Sequence, residues 1–143
     1  MSINKFNPEG YYDPTAYEAL TNIIENEKAE KKAAFRPLVY ICSPYSGDIE
    51  MNIKKARTFC RFAIEKNYIP LAPHLLFPQF MDDDDSKERE LAMFMNMVLL
   101  GKCNELWVFG STISNGMVQE IEKAKKRKQL IRYFNEKLEE VSE

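Results

Sequence analysis

Leu106-Trp107-Val108-Phe109, followed after a short polar loop by Ser114-Asn115-Gly116-Met117-Val118-Gln119-Glu120, is the stretch that decides how this chain folds. Four consecutive apolar residues read as a strand buried on both faces. The segment from Ser114 to about Lys128 reads as a helix, with Ser114 at its start. A serine and a glycine at a helix mouth offer a hydroxyl and backbone N–H groups that the helix itself does not use. Glu120 lies one to two turns further in. An anion or sugar hydroxyl held at the mouth would therefore lie near a carboxylate, an arrangement suited to chemistry on a nucleoside or nucleotide.

The same strand–loop–helix unit recurs upstream. Leu38-Val39-Tyr40-Ile41-Cys42 is a second continuous apolar run, followed by the loop Ser43–Gly47 and a helix over about Ile49 to Lys66. On that helix Ile53, Ala56, Cys60, Ala63 and Ile64 share one face and are expected inward. Ile69-Pro70-Leu71-Ala72 reads as a short strand, and its proline argues for a sheet edge. A long loop, 73–85, leads to a third helix over Ser86–Lys102, with Leu91, Phe94, Met95, Val98 and Leu99 expected inward. Leu130-Ile131-Arg132-Tyr133 is a last strand, and the acidic tail is expected to be a short surface helix. Strands alternating with helices predict an α/β fold: a flavodoxin/Rossmann-like three-layer sandwich with a mostly parallel sheet of four or five strands, in the order 2-1-3-4. Ahead of it, residues 1–36 read as an arm and a helix from about Pro14 to Ala34; residues 37–143 form the α/β domain. The arm's Phe6, Tyr11 and Tyr12 are expected to pack on the domain or on a neighbouring subunit.

Composition narrows the function classes. The 143 residues carry a net charge of −2, with 45% hydrophobic and 29% charged residues, an ordinary globular balance. No global basic field recruits polymeric nucleic acid. No run of about 18 apolar residues suggests a membrane span, and no signal-peptide core opens the chain, so a cytoplasmic protein is expected. Cys42, Cys60 and Cys103 lack metal or redox spacing and read as reduced core thiols. Neither a metal nor a cofactor is expected.

In a parallel α/β sheet, ligands bind beyond the carboxyl ends of the strands. That rule selects the loops 43–48, 73–85 and 110–116. In the first, Ser43, Tyr45, Ser46, Gly47 and Asp48 could hold a phosphate or ribose; alternatively the loop is a plain turn with Asp48 capping the next helix. It is neither a P-loop nor a G-x-G-x-x-G fingerprint. In the second, His74 is the only histidine. It is either a satisfied structural residue or part of a pocket wall where Phe77 or Phe80 stacks on a base. Asp82-Asp83-Asp84-Asp85 does not match an EF-hand and reads as a solvated loop, with Asp85 or Ser86 capping the third helix. Lys54 and Arg57 are candidate phosphate partners. Glu120 is either a surface residue or a nucleophile for the anomeric carbon of a sugar.

Three pieces carry a family resemblance: V-Y-I-C-S-P-Y-S-G-D (39–48), P-L-A-P-H-L-L-F-P-Q-F (70–80) and L-W-V-F-G-S-T-I-S-N-G-M-V-Q-E (106–120). In order and spacing they resemble the nucleoside 2-deoxyribosyltransferase superfamily, in particular its small branch common in bacterial and phage genomes. The resemblance spans about two-thirds of the chain. It implies a flavodoxin-like fold, a homodimer or higher homo-oligomer, and cleavage of the N-glycosidic bond of a deoxynucleoside or its monophosphate. It makes Glu120 the nucleophile at C1′, gives Ser114 and Gly116 the sugar's 5′ end or phosphate, and lets Ser43–Gly47 frame sugar and base. The chain departs from the pattern at Asn96, where the family usually carries an aspartate that assists the base and the nucleophile. An amide cannot deliver a proton as a general acid, though it can hydrogen-bond a base. His74 or an aspartate of residues 82–85 is the alternative proton source. An enzyme, a nucleotide-binding protein, and an interaction protein that binds a partner through its N-terminal arm and helix therefore all stand as readings.

Overall fold

The computed structural model describes residues 14–142, so the expected packing of the aromatic arm lies outside the described residues. The chain divides into two compact units at Phe35/Arg36. The first contains helix α1, Pro14–Ala34, opened by proline at its first position. The second is the α/β unit. Its elements run β1 (Leu38–Cys42), α2 (Ile49–Glu65), β2 (Ile69–Leu71), two 3-10 turns (Pro73–Leu75 and Phe77–Gln79), α3 (Ser86–Gly101), β3 (Glu105–Phe109), α4 (Asn115–Lys126), β4 (Leu130–Phe134) and β5 (Glu140–Val141).

The sheet order is β2-β1-β3-β4-β5, with the first four strands parallel and β5 antiparallel to β4. This is the flavodoxin-like α/β sandwich. Pro70 sits on the outer strand, where its missing N–H costs no interior ladder bond. The two-residue alternation of β1 and β3 explains their unbroken apolar runs. Val39, Ile41, Trp107 and Phe109 point to the face covered by α2; Tyr40, Cys42, Leu106 and Val108 point to the face covered by α3 and α4. All eight are essentially without solvent contact.

Three expectations need correction. The tail is a strand, not a helix. Asn135 accepts hydrogen bonds from the Lys137 and Glu139 N–H groups at 2.9 and 3.0 Å. The resulting turn takes Leu138 to a φ of 64° and sends the chain back along β4. Arg132 then grips Glu140 through two hydrogen bonds of 3.0 and 2.7 Å. On α2 the buried residues are Ala56, Phe59 and Ala63, while Ile64 is exposed. The face is set by Phe59, which stacks on Phe109 with ring centroids 4.2 Å apart. On α3 the expected inward residues Leu91, Phe94 and Val98 are 51%, 66% and 42% exposed. Leu100 is buried instead and Met97 packs beside it. Residues 91–100 are apolar almost all round, so periodicity alone does not choose the buried face.

Candidate functional site

A cleft of about 610 Å³ opens beyond the carboxyl ends of β1 and β3, on the side of α3 and α4. Five segments wall it: the loop after β1, the two 3-10 turns, the loop residues 81–83, α3 as far as Asn96, and the first two turns of α4. Its position follows from strand order, because the chain leaves β1 and β3 toward opposite faces and their loops part there.

The helix mouth forms as its sequence requires. Ser114 caps α4, its hydroxyl accepting from the Met117 N–H at 3.3 Å. The N–H groups of Asn115 and Gly116 have no place in the helix's own ladder, and both residues line the cleft. A Cβ at Gly116 would lie 3.4 Å from the Met93 methyl of α3, in ordinary van der Waals contact.

Glu120 lines the same cleft. Loss of water around its carboxyl pushes its pKa up to about 8, against hydrogen bonds from Cys42 and Tyr40 that pull it down. At neutral pH the carboxyl is mostly protonated. Tyr40 and Cys42 stand two residues apart on β1 and so reach the same face. Burial, then the neighbouring Glu120, raises both the Tyr40 hydroxyl and the Cys42 thiol. Sequence reasoning missed these two partners. The period-2 pattern of β1 marked their common side, but nothing local said which helix would cover it.

Ser43 and His74 face each other across the cleft wall, Oγ to Nε2 at 2.9 Å. Burial pushes His74 down to about 4, so its ring is neutral at pH 7 and carries no spare proton. Tyr45 and Ser46 also line the cleft. Burial and then the charge of Asp83 raise the Tyr45 hydroxyl, so the first and second loops meet there. Gly47 and Asp48 lie off the wall. Gly47 holds a φ of 97°, a conformation glycine adopts freely, and Asp48 caps α2 by accepting from the Met51 N–H at 3.2 Å. Of the two candidate stacking rings, Phe77 lines the cleft, whereas Phe80 is 67% exposed.

Asn96, on α3, is on the wall, and its Oδ1 is buried with no hydrogen-bond partner. Asp82 and Asp83, of the run 82–85 that offers an alternative proton donor, also line the cleft, as do Glu88 and Arg89, which nothing in the sequence marked as ligand contacts. Asp85 caps α3 as expected, accepting from the Lys87 N–H at 2.9 Å. Arg89 is the cation on the cleft wall, in place of Lys54 or Arg57. Its guanidinium is fixed by two hydrogen bonds to the Asp83 carbonyl, at 3.0 and 2.7 Å. Among the described residues, no group of three or more His, Cys, Asp or Glu side chains could hold a metal ion.

A family model described as a domain of unknown function, DUF7768, matches residues 37–134. The chain belongs to the DUF7768 family. The matched segment holds every residue named above as lining the cleft. The DUF7768 chain is similar in structure to the 2-deoxyribosyltransferase of the psychrotolerant bacterium Bacillus psychrosaccharolyticus, with a TM-score of 0.54, 12% identity, and coverage of 68% of this chain and 72% of that one. It is also similar to the 2-desoxiribosyltransferase of Leishmania mexicana, with a TM-score of 0.50, 15% identity, and coverage of 69% and 64%. At such identities the likeness is one of fold. No curated protein matches the sequence. No helix among the described residues is long and apolar enough to cross a membrane.

Proposed function

We propose that this protein breaks the N-glycosidic bond of a nucleoside or nucleotide, as a 2′-deoxyribosyltransferase or a deoxynucleotide N-hydrolase, with Glu120 as nucleophile. The observation that carries the reading is a desolvated carboxyl, Glu120, on the wall of a cleft large enough for a nucleotide. Cleavage of such a bond passes through an oxocarbenium-like state. The ionised fraction of Glu120, a minority at neutral pH, would stabilise that charge and then bond to C1′, the electron pair of the broken C–N bond leaving with the base, which takes its proton from water. Water or a second base would take the sugar from the glycosyl ester. Ser114 and the first-turn N–H groups of α4 would hold the 5′ end, Ser43, Tyr45 and Ser46 the sugar, and Phe77 the face of the base. The chain would act in the cytoplasm, as a homo-oligomer of the bacterial and phage branch of its superfamily. Contact between copies is supported by the exposed stripe Leu91, Phe94 and Val98.

A second reading, a protein that binds a nucleotide or nucleotide-derived signal without cleaving it, is favoured by the proton inventory of the cleft. Asn96 cannot protonate a leaving base, His74 is neutral at pH 7, and Glu120, mostly protonated there, is not a nucleophile until that proton leaves. One experiment separates the two. Each deoxynucleoside and deoxynucleoside monophosphate is incubated with the wild type and with Glu120→Ala, and free base is measured by chromatography. Base release that falls at least about 100-fold in the variant, with binding retained, supports the enzyme. Binding without release in both proteins supports the sensor, and absence of binding removes both readings.

A further inference from the structure

Behind the loop Ser43–Ser46, on the opposite face of the sheet from Glu120, lies a second cavity of about 350 Å³. None of the functional assignments above uses it. Its floor is apolar and includes Phe59 and Phe109, whose rings stack on each other and are almost wholly buried. Leu138, carried in by the turn before β5, adds to the apolar side. The rim is polar: Ser46, Thr58, Ser111 and Thr112 present hydroxyls, that of Thr58 already donating to the Lys54 carbonyl at 3.1 Å, and Asn52 presents its amide oxygen. Two charged residues also line it, Lys55 from α2 and Glu136 from the β4–β5 turn, and their charges are opposite. Gly110 enters this wall at a φ of 91°, where an added Cβ would meet no atom within 4 Å, so the mouth is open beside it.

Each feature restricts what fits. An apolar floor favours a ligand with an apolar face. A rim of groups that both donate and accept favours a ring with polar edges. One lysine opposed by one glutamate gives no net preference for an anion or a cation. The volume lies in the range of small-molecule sites, and the place is the strand-order switch between β1 and β3. We propose that this second cavity is a binding site for an uncharged, nucleobase-sized heterocycle, back to back with the Glu120 cleft. The two spaces share Ser43 and Ser46 as a common wall. Asn52 pins that wall from the second cavity's side, donating to the Tyr45 and Ser46 carbonyls at 3.0 Å each. Ser43 meets His74 on the other side. Occupancy behind the wall therefore bears on its cleft-facing residues, and any coupling must be reciprocal.

The test uses the full chain and free bases, which have no glycosidic bond to break, so its result does not depend on whether Glu120 is a nucleophile. Uracil and adenine are titrated into labelled protein while backbone amide shifts are followed by NMR. Orotate, a pyrimidine of similar size with a carboxylate, is the charged control. The expected result is saturable shifts at Asn52, Gly110, Ser111 and Thr112, weakened at least tenfold for orotate. Thr58→Trp and Ser111→Trp each place an indole at the rim of the cavity from an exposed position. Whichever variant keeps the wild-type far-UV spectrum is used, and it should weaken those shifts at least tenfold. Shifts confined to Ser114–Glu120, shifts indifferent to the indole, orotate binding as tightly as uracil, or no saturation at millimolar base would each overturn the proposal.

Discussion

Replacing Glu120 by glutamine should make the protein more stable, and increasingly so as the pH rises. Glu120 keeps its proton to about pH 8 in the folded chain, against an ordinary value of 4.5. Between those values the folded state holds a proton that the unfolded state has released, so stability falls with rising pH. The contribution is complete below about 4.5 and is lost through pH 8. Each pH unit inside that window is worth about 1.4 kcal/mol. Integrating both titrations from pH 5 to pH 8 gives a loss of about 3.5 kcal/mol in the wild type. A glutamine is neutral throughout and escapes it, while its carbonyl can still accept from Tyr40 and Cys42. Urea unfolding of both proteins at pH 5, 6, 7 and 8, followed through the α/β unit, measures the difference directly. The gap between variant and wild type should widen by about 3.5 kcal/mol across that range. His74 titrates in both proteins and cancels. A gap that does not change with pH would mean that the carboxyl is hydrated like any surface glutamate, and the argument for a desolvated nucleophile would fall with it.

His74 should act in the opposite direction. Burial holds it down to about 4 from an ordinary 6.5. The unfolded chain therefore binds the extra proton first, and stability present above 6.5 is lost as the pH falls toward 4, by about 3 kcal/mol. A His74→Gln variant should unfold with a flatter acid limb in a pH-dependent melt. The exposed stripe on α3 gives a third expectation: Phe94→Glu should lower the apparent mass in sedimentation while leaving the melting temperature of the α/β unit within a few degrees. An unchanged mass would place any contact between copies elsewhere.

The sheet was legible because β1 and β3 are buried on both faces, and an unbroken apolar run admits few other readings. The cleft was legible for a related reason: strand order fixes where loops diverge, and Ser43, Tyr45, Ser46, His74, Phe77, Asn96, Ser114, Gly116 and Glu120 all come from the elements around that point. Rotation about helix axes was less legible. Which side of α3 turns inward depends on α4 and the sheet, and a helix apolar all round carries no mark of it. The tail misled for a different reason. Its composition suits a helix, but a single Asn135 side chain closes a turn, and Arg132, distant in sequence from neither partner, secures the returning strand. Tyr40 and Cys42 stayed hidden as partners of Glu120 because their contact is made across 80 and 78 residues of sequence, through packing that no local pattern records.

The chain's single tryptophan, Trp107, has no solvent contact and lies among Phe62, Tyr68, Phe109 and Phe134, with the Arg132 guanidinium 5.0 Å from its ring. It belongs wholly to the α/β unit. Intrinsic fluorescence excited at the indole band therefore reports the melting of that unit alone, with helix α1 optically silent. Far-UV dichroism records both. Superimposing the two curves would reveal, without any label, whether the leading helix and the sheet come apart in one step or two.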